Sequence, residues 1–204
     1  QGGRVSGIEL ALWDLKGKAL GVPVYELLGG KFRDSIWVYA DCQVEPAMEF
    51  DEIKRVVENV LERGFTALKI DVDLGVYTHD YRRGKGIPKD RFNYTADAWE
   101  HERMVALVEM VTTAAGQDAA VAVDVHTRLD VASAIRLAKD LEQFHLLWLE
   151  EPVPPENVAA MREVKQATST PICTGENLYL RHGFRDLIVQ QAADIIMPDI
   201  PQCG

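Results

Sequence analysis

Six short runs of β-forming residues alternate with helical stretches along most of this chain, and each run is apolar at consecutive positions rather than at every second one. They are SIWVYADC (35–42), TALKID (66–71), AAVAVDV (119–125), LLWLE (146–150), PICTG (171–175) and DIIMP (194–198). A strand apolar on both faces must be covered on both, which a parallel sheet wrapped by crossover helices provides. Helical periodicity fills the intervals, over residues 47–63, 96–115, 131–141, 156–167 and 181–192. Two further helices, 4–20 and 24–28, precede the first strand and end at Gly29-Gly30. The pattern predicts βα units and an α/β fold. No G-x-G-x-x-G follows the first strand and no G-x-x-x-x-G-K-[ST] occurs anywhere, which argues against a nucleotide-binding doubly wound sheet. The remaining architecture is a TIM-type (β/α) barrel. Such barrels typically need about 250 residues, and this chain has 204, so it is expected to be a fragment holding the first six units.

Composition narrows the partners. With 22 basic against 32 acidic residues the net charge is -10, a field that repels nucleic acid and anionic membrane. No run of about 18 apolar residues suits a membrane span, and no basic leader with an apolar run behind it suggests a signal peptide. Cys42, Cys173 and Cys203 are far apart and odd in number, which fits reduced thiols better than a disulfide framework or zinc ribbon. The expectation is a cytoplasmic protein.

Three carboxylates stand at the C-terminal ends of successive strands: Asp124, Glu150 and Glu176, each 26 residues from the next. A single acid there is ordinarily a helix N-cap or a solvated loop residue. Three in step, one per βα unit, suit the face of a barrel where active sites gather. An all-oxygen carboxylate set favours Mg²⁺ or Mn²⁺ over zinc. Strand parity extends the set: His126 lies two residues after Asp124, and Asp71 two after Lys69, so each pair shares a face if its strand continues that far. A single histidine after a strand is often a surface or core residue; sharing a face with Asp124 makes His126 a candidate catalyst as well. Glu150 and Glu151 are adjacent and must face oppositely, so one of them serves a central site.

Several of these segments resemble a known family. GIELALWDLKGKALGVPVYELLGG (7–30) is similar to the helix signature of the mandelate racemases and muconate lactonizing enzymes of the enolase superfamily. DVH (124–126), LEEP (149–152), TGEN (174–177) and MPD (197–199) resemble that family's successive strand-end motifs, in its order and spacing. The resemblance implies a modified TIM barrel with a capping domain, Mg²⁺ as cofactor, and abstraction of the proton α to a substrate carboxylate. Residues 1–30 would then be the end of an N-terminal α+β capping domain, and 31–204 the barrel from unit one to unit six. Motif by motif, it implies Asp124, Glu150 and Glu176 as metal ligands and Lys69 beside the substrate carboxylate and developing enolate.

Departures from the family pattern select the reaction. Asp71 stands where racemase-type members carry the second lysine of K-x-K, and Asp199 where muconate-type members carry a lysine. In racemase-like members an Asp such as Asp199 pairs with a histidine of a seventh strand, which this chain does not reach. His126 matches the acid sugar dehydratases of the galactonate and mannonate type, where that residue is the general acid or base at the leaving hydroxyl. The resemblance therefore implies a hydro-lyase: dehydration of an aldonate or aldarate to a 2-keto-3-deoxy acid through an enediolate, with the 204-residue chain alone inactive. The alternatives are an epimerase or racemase of a carboxylate substrate and a catalytically inactive barrel fragment. The expected partners are a small-molecule sugar acid and further copies of the chain in a homo-oligomer. The segment 72–94 carries Arg82, Arg83, Lys85, Lys89 and Arg91 against Asp73, Asp80 and Asp90. A loop of that length is a solvated or subunit-interface segment, or a lid over an anionic substrate to which Tyr77, His79, Tyr81 or Tyr94 adds polar contacts.

Overall fold

The structure is a computed structural model that describes residues 2–45, 47–73 and 94–203. Two helices open the chain, α1 (Gly2–Leu20) and α2 (Val24–Leu27). Six strands follow: β1 (Ala40–Asp41), β2 (Ala67–Asp71), β3 (Ala120–Asp124), β4 (Leu149–Glu150), β5 (Ile172–Thr174) and β6 (Ile195–Ile196). The helices between and after them are α3 (Phe50–Glu62), α4 (Ala98–Ala115), α5 (Val131–Leu141), α6 (Val158–Gln166), α7 (Leu180–Val189) and α8 (Ile200–Cys203). Every neighbouring pair is parallel, and the sheet order is the chain order β1 to β6. That order, with a helix in each crossover, is the TIM-barrel-like α/β fold expected from the alternation.

Local chemistry sets the helix starts. Asp97 and Glu100 form a reciprocal capping box at α4, Asp130 accepts from Ser133 N at 2.7 Å to cap α5, and Asn157 accepts from Ala160 N at α6. The core lies between strands and helices, where Leu68 and Ile70 of β2 and Val123 of β3 pack with Ile53, Met104, Leu107 and Leu137. Each such side chain contributes about 1.5–3 kcal/mol by leaving water. Among the described residues no helix is long and apolar enough to cross a membrane.

One element differs from expectation. The first strand, expected over 35–42, is paired only at Ala40–Asp41, against Leu68 and Lys69. Residues 35–38 are exposed, Ile36 at 76%, so β propensity there meets neither a second strand nor a covering face. The last helix, α8, holds Pro201, Gln202 and Cys203, and the amides of Gln202 and Cys203 donate to the Asp199 carbonyl.

Candidate active site

Strand register brings the site together. Asp71 of β2 is level with Asp124 of β3, and Asp124 with Glu150 of β4, so three carboxylates form a row at the C-terminal edge of the sheet. The next residue in that row is Cys173, not Glu176. The equal 26-residue steps in sequence therefore do not mean equal heights. The β4-to-β5 step is shorter, and Glu176 lies three residues past Cys173, beyond a turn at Gly175 (φ +138°). Only glycine holds that conformation without strain, and a Cβ there would stand 2.9 Å from the Phe184 ring.

Lys69 is level with Ala122, whose small side chain leaves room for the lysine to cross to β3 and β4. Its Nζ lies 2.7 Å from Asp124 Oδ2 and 3.0 Å from Glu150 Oε1. Glu150 is wholly buried, and its second oxygen accepts from the Trp148 indole N–H at 3.0 Å. Tyr39 completes the floor, edge-on to Trp148 with ring centroids 5.6 Å apart and its ring 5.8 Å from the Lys69 ammonium. Burial, and then the charge of Asp124, push the Glu150 carboxyl up to about 7, against the opposing pull of Lys69 and Trp148. Burial pulls the Lys69 ammonium down, but the two carboxylates outweigh it and hold its pKa above that of a free lysine.

β3 ends at Asp124, so strand parity does not carry to His126; the turn that follows brings its ring back beside Asp124. The His126 amide donates to Asp124 Oδ1 at 2.9 Å, and its backbone is left-handed at φ +51°. Its Nδ1 is 2.9 Å from Asp73 Oδ1, while Nε2 stands 3.8 Å from Asp124 Oδ2 and 3.9 Å from Asp71 Oδ1. The hydrogen bond to Asp73 raises the imidazole pKa to about 9; burial opposes this, and Asp124 and Asp71 reinforce it. Asp71 is itself raised by burial first, with His126 pulling the other way. Asp73 also forms an ion pair with Arg128.

Glu150 and Glu151 face apart as expected. The Glu151 carboxylate, also wholly buried, accepts from Thr174 Oγ1 at 3.0 Å, Gly175 N at 3.1 Å and Asn177 Nδ2 at 2.6 Å. It thus holds both residues that flank Glu176. Glu176 is half-buried and, among the described residues, its side chain makes no hydrogen bond or ion pair. Asp199 accepts from Gln202 Nε2 at 2.8 Å at the start of α8.

The site residues expected from sequence are therefore not equally close. Lys69, Asp124, Glu150 and His126 are gathered; Glu176 follows β5 and Asp199 follows β6, and among the described residues neither shares a hydrogen bond or ion pair with that group. Among the described residues, the trio whose ligand atoms lie within 4.8 Å of one another is Asp71, Asp124 and His126. The carboxylate row fits a hard divalent cation: it is all oxygen and largely buried, with Lys69 at its base and His126 at its mouth as counter-charges among the described residues. Sequence reasoning missed Asp73, Arg128 and Trp148. Trp148 had a signal, since it shares parity with Glu150. Residues 74–93, most of the basic segment expected as a solvated or subunit-interface loop or as a lid, lie outside the described residues.

Residues 52–204 match the family described as enolase C-terminal domain-like, and residues 4–29 match the mandelate racemase/muconate lactonizing enzyme N-terminal domain. The chain is similar to the D-xylonate dehydratase of Haloferax volcanii, with 45% identity over 204 residues that cover 98% of this chain and 47% of the relative. It is 31% identical over 212 residues to the D-mannonate dehydratase of Rhizorhabdus wittichii, covering 98% of this chain and 51% of that one. The crystal structure of a mandelate racemase/muconate lactonizing enzyme-like protein from Rubrobacter xylanophilus matches with a TM-score of 0.86 and 45% identity, over 100% of this chain and 53% of that chain. The chain spans about half the length of the curated relatives it matches.

Proposed function

Since the chain belongs to the mandelate racemase/muconate lactonizing enzyme family of the enolase superfamily, we propose that the protein containing it is a Mg²⁺-dependent sugar acid dehydratase. The substrate class is an aldonate or aldarate, in keeping with the sugar acids named in its relatives. In this reading residues 1–30 end a capping domain and 31–204 supply barrel units one to six. The enzyme works in the cytoplasm as a homo-oligomer.

The observation that carries the reading is the Lys69–Asp124–Glu150 cluster with His126 Nε2 at its mouth. Abstraction of the α-proton turns a carboxylate into an enediolate with a second negative charge. Mg²⁺ held by Asp124, Glu150 and Glu176 would supply Lewis-acid neutralisation of that charge. Lys69, fixed by two carboxylates and standing on the Tyr39 ring, keeps its proton and is pre-oriented towards the developing oxyanion. Trp148 fixes the second oxygen of Glu150, so that carboxylate does not swing as charge builds. His126 protonates the departing 3-hydroxyl, which leaves as water. The enol then tautomerises to the 2-keto-3-deoxy acid. Asp199 acts at one remove, by orienting the base that takes the α-proton.

The test is a screen of aldonic and aldaric acids against the full-length protein, with formation of a 2-keto acid as readout. His126→Asn should lower dehydration by about 10²–10⁴-fold and leave Mg²⁺ affinity nearly intact, and a separate base would let the variant still exchange the α-proton with D₂O. Full dehydratase activity in His126→Asn would remove the reason for preferring elimination over epimerisation.

A further inference from the structure

The geometry points to Asp73 as the positioning residue for His126: its buried carboxylate holds Nδ1 of the imidazole and so turns Nε2 towards the carboxylate row. This rests on the proposed dehydration and adds a residue to it. Asp73 is fully inaccessible to solvent two residues beyond the end of β2, and a buried carboxylate requires partners. Those partners are His126 Nδ1 at 2.9 Å on one oxygen and Arg128 on the other. Both come from the connection between β3 and α5, and His126 and Arg128 flank a single residue, Thr127, which like His126 has a positive φ. The sequence thus spends two left-handed, non-glycine backbone positions to bring both partners onto one carboxylate.

The consequence for the ring is specific. An imidazole whose Nδ1 donates to a carboxylate has its orientation fixed and its other nitrogen committed to the opposite direction. Here that nitrogen lies beyond hydrogen-bond reach of Asp124 and Asp71, at 3.8 and 3.9 Å. It is held near the row without being consumed by it, which is the placement a proton donor to a leaving hydroxyl needs. Arg128 answers the charge of Asp73, so the carboxylate is not dependent on the histidine for its partner.

A purely structural role is the competing explanation. The same stretch, 126–130, also receives the chain at Tyr94, whose N–H donates to the Arg128 carbonyl at 3.0 Å and whose carbonyl accepts from Asp130 N at 2.9 Å. Asp73 could then be an anchor for the backbone and nothing more. A double-mutant cycle on the full-length protein separates the two. Asp73→Asn should lower kcat for sugar acid dehydration by about 10–100-fold, with KM moved less than about threefold. In a His126→Asn background the same substitution should change the residual rate by less than about twofold, because the group it orients is gone. An equal loss in both backgrounds, or no loss in either, overturns the assignment.

A measurement on the wild-type protein keeps the proposal falsifiable if Asp73→Asn does not fold. Long-range ¹H–¹⁵N correlation with ¹⁵N-labelled histidine, assigned by the signal that disappears in His126→Asn, reads which ring nitrogen carries a proton. A proton on Nδ1 is expected; a bare Nδ1 with the proton on Nε2 alone overturns the proposal. If the wild-type protein dehydrates no sugar acid, the functional reading fails, and the ring measurement still decides the orientation.

Discussion

Lys69 crosses from β2 to place its ammonium 2.7 Å from the Asp124 carboxylate on β3, and the same nitrogen reaches Glu150 on β4 at 3.0 Å. One cation therefore ties three strands together at the height where the carboxylates are level. In the absence of metal it is the nearest counter-charge to two side chains that are 2% and 0% exposed. The lysine and a bound Mg²⁺ would thus share the same pair of carboxylates.

Replacing Lys69 by Met should separate those roles. Breaking a buried pair by removing one partner typically costs about 3–5 kcal/mol, so the metal-free variant should unfold at a markedly lower temperature. Mg²⁺ should restore more stability to the variant than to the wild type, while dehydration is lost. Thermal unfolding with EDTA and with Mg²⁺ measures both gains; a smaller Mg²⁺-induced gain in Lys69→Met would contradict the shared-carboxylate view.

The metal ligands can be assigned by affinity. If Asp124, Glu150 and Glu176 bind Mg²⁺, Glu150→Gln and Glu176→Gln should each weaken binding about tenfold or more in calorimetric titration, and Asp71→Asn and His126→Asn should do little. The opposite ranking would assign the ion to the Asp71, Asp124 and His126 trio, whose ligand atoms already lie within 4.8 Å.

Much of this site was legible because it follows from strand parity. Period-2 alternation alone puts Lys69 with Asp71, strand ends in a parallel barrel converge, and His126 returns to Asp124 through a left-handed turn although β3 ends there. Heights were not legible, since register depends on how many residues each crossover consumes. The 26-residue steps to Glu150 and Glu176 look alike in sequence, yet Glu150 is level with Cys173. The contacts of Asp73 were hidden for another reason. They span 53 residues to His126, and nothing local marks an acid at the start of a basic loop as buried. The first strand was overread because Ile36, Trp37 and Val38 carry β propensity at an edge that pairs only from Ala40 onwards.

Gly175→Ala tests how tightly the Glu176 turn is specified. The new methyl would meet Phe184 Cε1 at 2.9 Å and the Met197 backbone at 3.1 and 3.2 Å, at a φ of +138° that alanine rarely adopts. Strain of this kind costs on the order of 1–3 kcal/mol, before the clash is added. Urea unfolding should show that loss, and Mg²⁺ affinity should fall with it because the turn carries Glu176. A variant as stable as the wild type would mean that the turn relaxes freely.

The pH dependence of the metal-free protein should resolve two neighbouring windows. The His126 imidazole titrates at about 9 in the folded protein against 6.5 for the free side chain, first because of its hydrogen bond to Asp73. A histidine with a raised folded pKa stabilises fully below the unfolded value, and that stability is lost as pH rises through the folded one. Stability should therefore decline between 6.5 and 9. Glu150 is also raised, from 4.5 to about 7, chiefly by burial, so the folded state holds its proton more tightly than the unfolded chain. Its contribution runs down in the lower window, between 4.5 and 7. Urea unfolding of the full-length protein in EDTA, repeated across pH 4.5 to 9, gives both slopes. His126→Gln should flatten the decline above 6.5 and leave the one below it in place, because the two groups titrate in different windows. A wild-type protein whose stability is level or rises between 6.5 and 9, or a variant that keeps the full upper decline, would show that the Asp73–His126 pair is not a charged one in the folded protein.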